Sequence, residues 1–88
     1  MNVDLSNADT VTAKLIDNWC ARRALEPLRV ILPCYPRVSG LTDEWGALAA
    51  AFKTIRVRFA TSLEGQELEH VIALQQLAES VVHREHAA

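Results

Sequence analysis

The sequence predicts an all-α fold, a compact bundle of three longer helices plus one short helix, over about residues 7–23, 26–32, 43–61 and 63–83. Three observations lead there. Apolar residues recur every three or four positions through three long stretches, which is the period of one helix face. All three prolines and Gly40 fall between residues 27 and 40, so the strongest chain breakers separate the first long stretch from the next. No two runs alternate apolar and polar residues in the way a pair of half-buried strands would.

The first helix is expected over 7–23. Ser6 followed by Asp9 resembles a capping box with Asp in place of Glu. On a wheel of 100° per residue, Ala8, Val11, Thr12, Leu15, Ile16 and Trp19 share an arc of about 140°, and Lys14, Asp17 and Asn18 lie outside it. The short second helix, 26–32, starts with Pro27 in its first turn, where a missing N–H costs nothing. Leu25, Leu28, Ile31 and Leu32 follow at helical spacing, and Pro33 is expected to push Leu32 out of helical dihedrals. A strand over Leu28–Leu32 is the competing reading, and it has no visible strand to pair with.

The third helix is expected over 43–61, with Thr42 as N-cap and Asp43 and Glu44 placed well against the helix dipole. Trp45, Leu48, Ala49, Phe52, Ile55, Phe59 and Leu63 form one face. Ala47, Ala50, Ala51 and Thr54 form an opposite face of small side chains, on which another helix can approach closely. The fourth helix, 63–83, is capped by Thr61 or Ser62 on this reading. Its apolar residues cover more than half of the wheel, more than one small core usually requires: either the helix is buried between the first and third helices, or Leu74, Leu77 and Val81 are candidates for an interface with a partner or a second copy.

Eighty-eight residues make one domain, 1–88, with half of its residues apolar and a formal charge of −2. A chain of this size closes one core but leaves little material for a deep cleft, which disfavours a self-contained enzyme. The small net charge hides a division: residues 14–58 hold eight of the nine Lys and Arg against four acids, and the flanks are acidic. Arg22, Arg23, Arg29 and Arg56 are therefore candidate anion-binding residues, because the arginine fork matches planar anions. The competing reading pairs them with the acidic fourth helix. Arg56 lies on the aromatic face of the third helix, where it either lies over Trp45 or Phe52 with its head in water or pairs with a carboxylate such as Glu79; Gln75 beside Glu79 suggests a small polar network between the third and fourth helices.

The connection from Pro33 to Leu41 is long and apolar for a helix–helix link, and Tyr35 and Arg37 in it are candidate interface anchors. Cys20 and Cys34 are too few and too far apart for a disulfide framework or a zinc ribbon and read as free thiols packed as small hydrophobes. His83 and His86 have i, i+3 spacing, but nothing fixes a third ligand, and no motif pairs Cys20 with a histidine. The sequence thus assigns no catalytic residue, no metal site and no cofactor. The function expected is a small non-catalytic cytoplasmic protein–protein interaction module, an adaptor, regulator, inhibitor or chaperone-like protein that self-associates as a homodimer. The alternative is a nucleic-acid-associated regulator using the basic 14–58 segment. No run reaches the roughly 18 apolar residues of a membrane span, and the polar, acidic N-terminus does not resemble a secretory signal.

Overall fold

The computed structural model describes residues 3–4, 6–35 and 42–87, the side chains of 42, 43 and 84–87 excepted. It is all-helical: α1 (Ala8–Ala21), α2 (Leu25–Ile31) continued by a 3-10 turn (Leu32–Cys34), α3 (Thr42–Arg58), a second 3-10 turn (Ala60–Ser62), and α4 (Glu67–Ala87). Among the described residues there is no strand, so the strand reading of Leu28–Leu32 is set aside.

α1 starts one residue later than expected. Asn7, not Ser6, is the capping residue, and the carboxylate of Asp4 accepts bonds from the Ser6 and Asn7 backbone N–H groups and from the Ser6 hydroxyl. Asn7 Oδ1 in return accepts the Asp4 N–H at 2.8 Å. Thr12, buried on the inner face, satisfies its hydroxyl by donating to the Ala8 carbonyl at 2.8 Å. The end of α1 comes two residues before the expected 23. Arg23 takes a left-handed φ of 56°, the Arg23 N–H donates to the Cys20 carbonyl, and the Ala24 N–H donates to the Trp19 carbonyl. This is a Schellman ending with arginine where glycine is usual, which is why no glycine marked it in the sequence.

Pro27 stands in the first turn of α2, as expected. The expectation for Pro33 fails: Leu32 keeps helical dihedrals, φ −59° and ψ −37°. The restriction that proline places on its predecessor is a bias. Here Pro33 opens a 3-10 turn that needs no N–H from it, closed by the Tyr35 N–H on the Leu32 carbonyl.

α3 includes Thr42, which the sequence reading had as N-cap, and stops at Arg58 rather than at 61. α4 begins at Glu67, four residues later than expected, so neither Thr61 nor Ser62 caps it. Residues 60–62 form a 3-10 turn, and Gly65 takes a φ of 57°, a left-handed step that a continuous helix does not contain.

α3 and α4 form the most extensive pairing and run antiparallel, with Gly46 opposite Val82 and Arg56 opposite Gln75. α1 packs against α2 and α4, and α2 against α1 and α3. The core is where they meet: Leu15 and Trp19 of α1, Leu28 and Ile31 of α2, Leu48, Phe52 and Ile55 of α3, Val71, Leu74 and Ala78 of α4. The small face of α3 is covered only in part: Ala51 is buried and the Cys34 thiol reaches the Ala47 carbonyl, where α2 and its 3-10 turn meet α3, while the side chains of Ala47 and Ala50 remain exposed. Phe59, expected in the core, is half-buried, with the Arg58 guanidinium over its ring.

Candidate functional site

Three surface features carry side chains able to do something. The first is a polar latch between the end of α1 and the start of α4. Glu67 is buried and accepts from Trp19 Nε1 at 3.1 Å, from the Glu64 backbone N–H at 3.0 Å and from Arg22 by a two-pronged contact of 2.5 and 2.6 Å. Arg22 also donates to the Ser62 carbonyl at 2.6 Å and lies 3.3 Å from Glu64. Burial by itself would raise the Glu67 carboxyl, but the hydrogen bonds from Arg22, Glu64 and Trp19 outweigh it and hold the group below its ordinary range. The bond to Glu67 raises the Arg22 guanidinium further still. A cleft of 240 Å³ opens beside this latch between α1 and α4, with Lys14, Asn18 and His70 on its walls.

The second feature is the outward face of α2. Leu25 is 57% exposed and Leu32 49% exposed, with the exposed Arg29 between them. At 100° per residue these three fall within about 60°, so they form one ridge, while Leu28 and Ile31 point to the core. The third feature is a groove of 430 Å³ between α3 and α4, lined by Gly46, Ala49 and Val82 with Glu79 and His83 at its edge. Arg56 Nε donates to Gln75 Oε1 at 2.8 Å and Gln75 Nε2 to Glu79 Oε2 at 3.1 Å, the polar network expected between the third and fourth helices.

The residues singled out in the sequence are distributed over these features unevenly. Arg22 is committed to Glu67, and Arg56 to Gln75 eight positions further along α4, about 12 Å away at the helical rise. Arg22 and Arg56 are thus each taken up by a partner within the chain, and of the four only Arg23 and Arg29 are exposed. Leu74 is 2% exposed and belongs to the core, which removes it from any interaction surface. Leu77 and Val81 are half-buried against the same core, so the wide apolar arc of α4 is largely absorbed within the chain. Tyr35 is half-buried and donates its hydroxyl to the Asp9 carbonyl at 3.3 Å; Arg37 lies outside the described residues.

Cys34 packs against the core, and burial pushes its thiol up, so it stays protonated. Cys20 is exposed rather than packed. Among the described residues no group of three His, Cys, Asp or Glu is placed to hold a metal, and no helix is long and apolar enough to cross a membrane.

Sequence reasoning missed two things. It grouped Leu25 and Leu32 with the buried residues of the short helix; Arg29, within 60° of both on the wheel, was the signal that this side faces water. The competing reading, arginines paired with the acidic fourth helix, holds for Arg22 and Glu67, but no local pattern links Glu67 to Trp19, forty-eight positions away. Compared with protein-family models, with curated proteins and with solved structures, the chain matches none of them.

Proposed function

We propose that this chain is a small non-catalytic protein–protein interaction module of the cytoplasm, one that also associates with itself. The observation that carries this reading is the α2 ridge. Two large apolar side chains stand in water at 57% and 49% exposure on a molecule whose other leucines and isoleucines are mostly covered. Exposed leucines grouped around an arginine have the composition of an interface centre, where apolar area supplies affinity and a charge sets orientation. Adaptor, regulator, inhibitor and chaperone-like roles all use such a surface.

The test is affinity capture from native lysate with the wild-type chain and a Leu25→Asp/Leu32→Asp variant, at two salt concentrations, with and without nuclease. The expected result is protein capture that survives nuclease and is lost in the variant. Capture confined to nucleic acid, removed by nuclease and weakened steeply by salt, would instead favour the basic 14–58 segment as the working surface. Equal capture by both proteins would overturn the role given to the ridge.

A further inference from the structure

Arg23 and Arg29 are the candidate anion-binding arginines that the fold leaves exposed, and neither makes a hydrogen bond or ion pair among the described residues. Arg23 also stands at a cost. Its φ of 56° is left-handed, a conformation that glycine takes freely and an L side chain takes under strain. The backbone gains nothing from arginine at this corner between α1 and α2, and no contact among the described residues uses its guanidinium. What the strain secures is a positive charge in solvent beside α2.

Both arginines border one surface. A cleft of 330 Å³ at the α1–α2 corner is lined by Arg23, Leu25 and Glu26, together with Ser62. Leu25 belongs as well to the outward ridge of α2, where Arg29 lies about 40° from it on the wheel and Leu32 about 20° on its other side. Cleft and ridge are therefore continuous through Leu25, over about 10 Å of helix, with one uncommitted arginine in each. The surface combines two exposed leucines, two permanent positive charges and one exposed carboxylate, Glu26, which also has no partner among the described residues.

Resting on the interaction-module reading, we infer that the occupant of this surface is a short acidic segment of a partner protein: its apolar side chains cover Leu25 and Leu32, and two of its carboxylates take Arg23 and Arg29. Charge selects this chemistry. The surface is net positive, and both guanidinium groups have their donors free for the planar fork that a carboxylate completes. Glu26 separates a peptide from other anions. A phospholipid or nucleic-acid surface presents phosphates throughout and sets one against Glu26, and two arginines fall short of the roughly four to eight basic groups of a lipid-binding cluster. A peptide sets a backbone N–H there instead, and its apolar side chains cover leucines that nucleic acid would leave in water. The length of the surface suits one peptide segment, smaller than the about 800 Å² that each partner gives to a domain-sized interface.

A phage-displayed random dodecapeptide library, selected on the immobilised full chain, tests this with three proteins: wild type, Arg23→Gly/Arg29→Gln and Leu25→Asp/Leu32→Asp. Glycine keeps the left-handed backbone at position 23 without strain, so weaker binding by the arginine variant is a loss of side chains and not of the fold, with circular dichroism as the control. Wild type is expected to select peptides that join Asp or Glu to Leu, Ile or Phe. The arginine variant is expected to bind the leading synthetic peptide about 10-fold more weakly in fluorescence anisotropy, with a smaller dependence on salt. Selected peptides without acidic enrichment, or acidic ones that both proteins hold equally, overturn the acidic partner. The leucine variant separates that failure from failure of the ridge: neutral apolar peptides that it loses keep the ridge as the docking surface, and peptides that it holds as well as wild type remove both. The absence of any selected peptide, or sedimentation with phosphatidylserine vesicles in its place, also overturns the proposal, and capture from lysate then decides the ridge by itself.

Discussion

Glu67 concentrates the chemistry of single residues in this protein. Removing it leaves the buried Trp19 N–H without its acceptor and Arg22 with only the Ser62 carbonyl and the exposed Glu64, in a region that water reaches only in part. Breaking a fully buried pair costs about 3–5 kcal/mol, and because Arg22 is partly exposed, Glu67→Ala is expected to cost about 2 kcal/mol in urea unfolding. The same pair makes stability depend on pH. The folded carboxyl sits below its ordinary range, so its contribution is complete above the unfolded pKa, about 4.3, and is lost as pH falls through the lower folded value. The urea midpoint of wild type is expected to hold above pH 5 and drop below pH 4, with a shallower drop in Glu67→Gln. Arg23 gives the opposite sign. Its left-handed backbone strains an L side chain by about 1–2 kcal/mol, and glycine there adds back about 0.5–1 kcal/mol of unfolded-state entropy. Arg23→Gly is therefore expected to stabilise the chain by about 0.5 kcal/mol, read as a rise in melting temperature.

At the scale of elements, the segments joining helices decide most. The step into α4 turns on Gly65, whose φ of 57° is open to glycine at no steric cost. A Cβ there would meet nothing within 4 Å, so Gly65→Ala isolates the backbone penalty, expected at about 1 kcal/mol by chemical denaturation. A much larger loss would mean that the turn, and with it the position of Glu67, had moved. The four helices were legible in the sequence because their apolar residues keep a 3.6-residue period, and Pro27 marks the first turn of α2. Their ends were less legible for separate reasons. Arg23 ends α1 without a glycine. Pro33 follows a residue that stays helical because a 3-10 turn carries the chain onward. Gly65 was a visible signal that α4 starts after it, and the run of apolar and acidic residues from Leu63 onwards masked that signal.

At the scale of the whole molecule, the core is built from few side chains, so each counts. Phe52 is 1% exposed where α3 meets the rest of the core, and Phe52→Ala is expected to cost about 3–5 kcal/mol in equilibrium unfolding. That is a large share of the roughly 4–13 kcal/mol typical of a chain this long. A loss under 1 kcal/mol would show that the core repacks around the gap. The apolar content that looked excessive for a small core is divided by the fold. Leu74, Leu77 and Val81 go largely inward, and Leu25, Leu32 and Val57 remain outside.

The sequence by itself determined the helical class, the inward face of α1 and most of that of α3, because these follow from local period, and it required a partner for Arg56, because a charge on an apolar face is costly to leave unpaired. Only the tertiary structure decided that Arg22 meets Glu67, that the small face of α3 is covered at Ala51 but open at Ala47 and Ala50, and that α2 turns two leucines and an arginine outward. Periodicity says which side chains share a face. Which face is covered depends on neighbours distant in the chain, and on how much apolar surface four short helices can enclose.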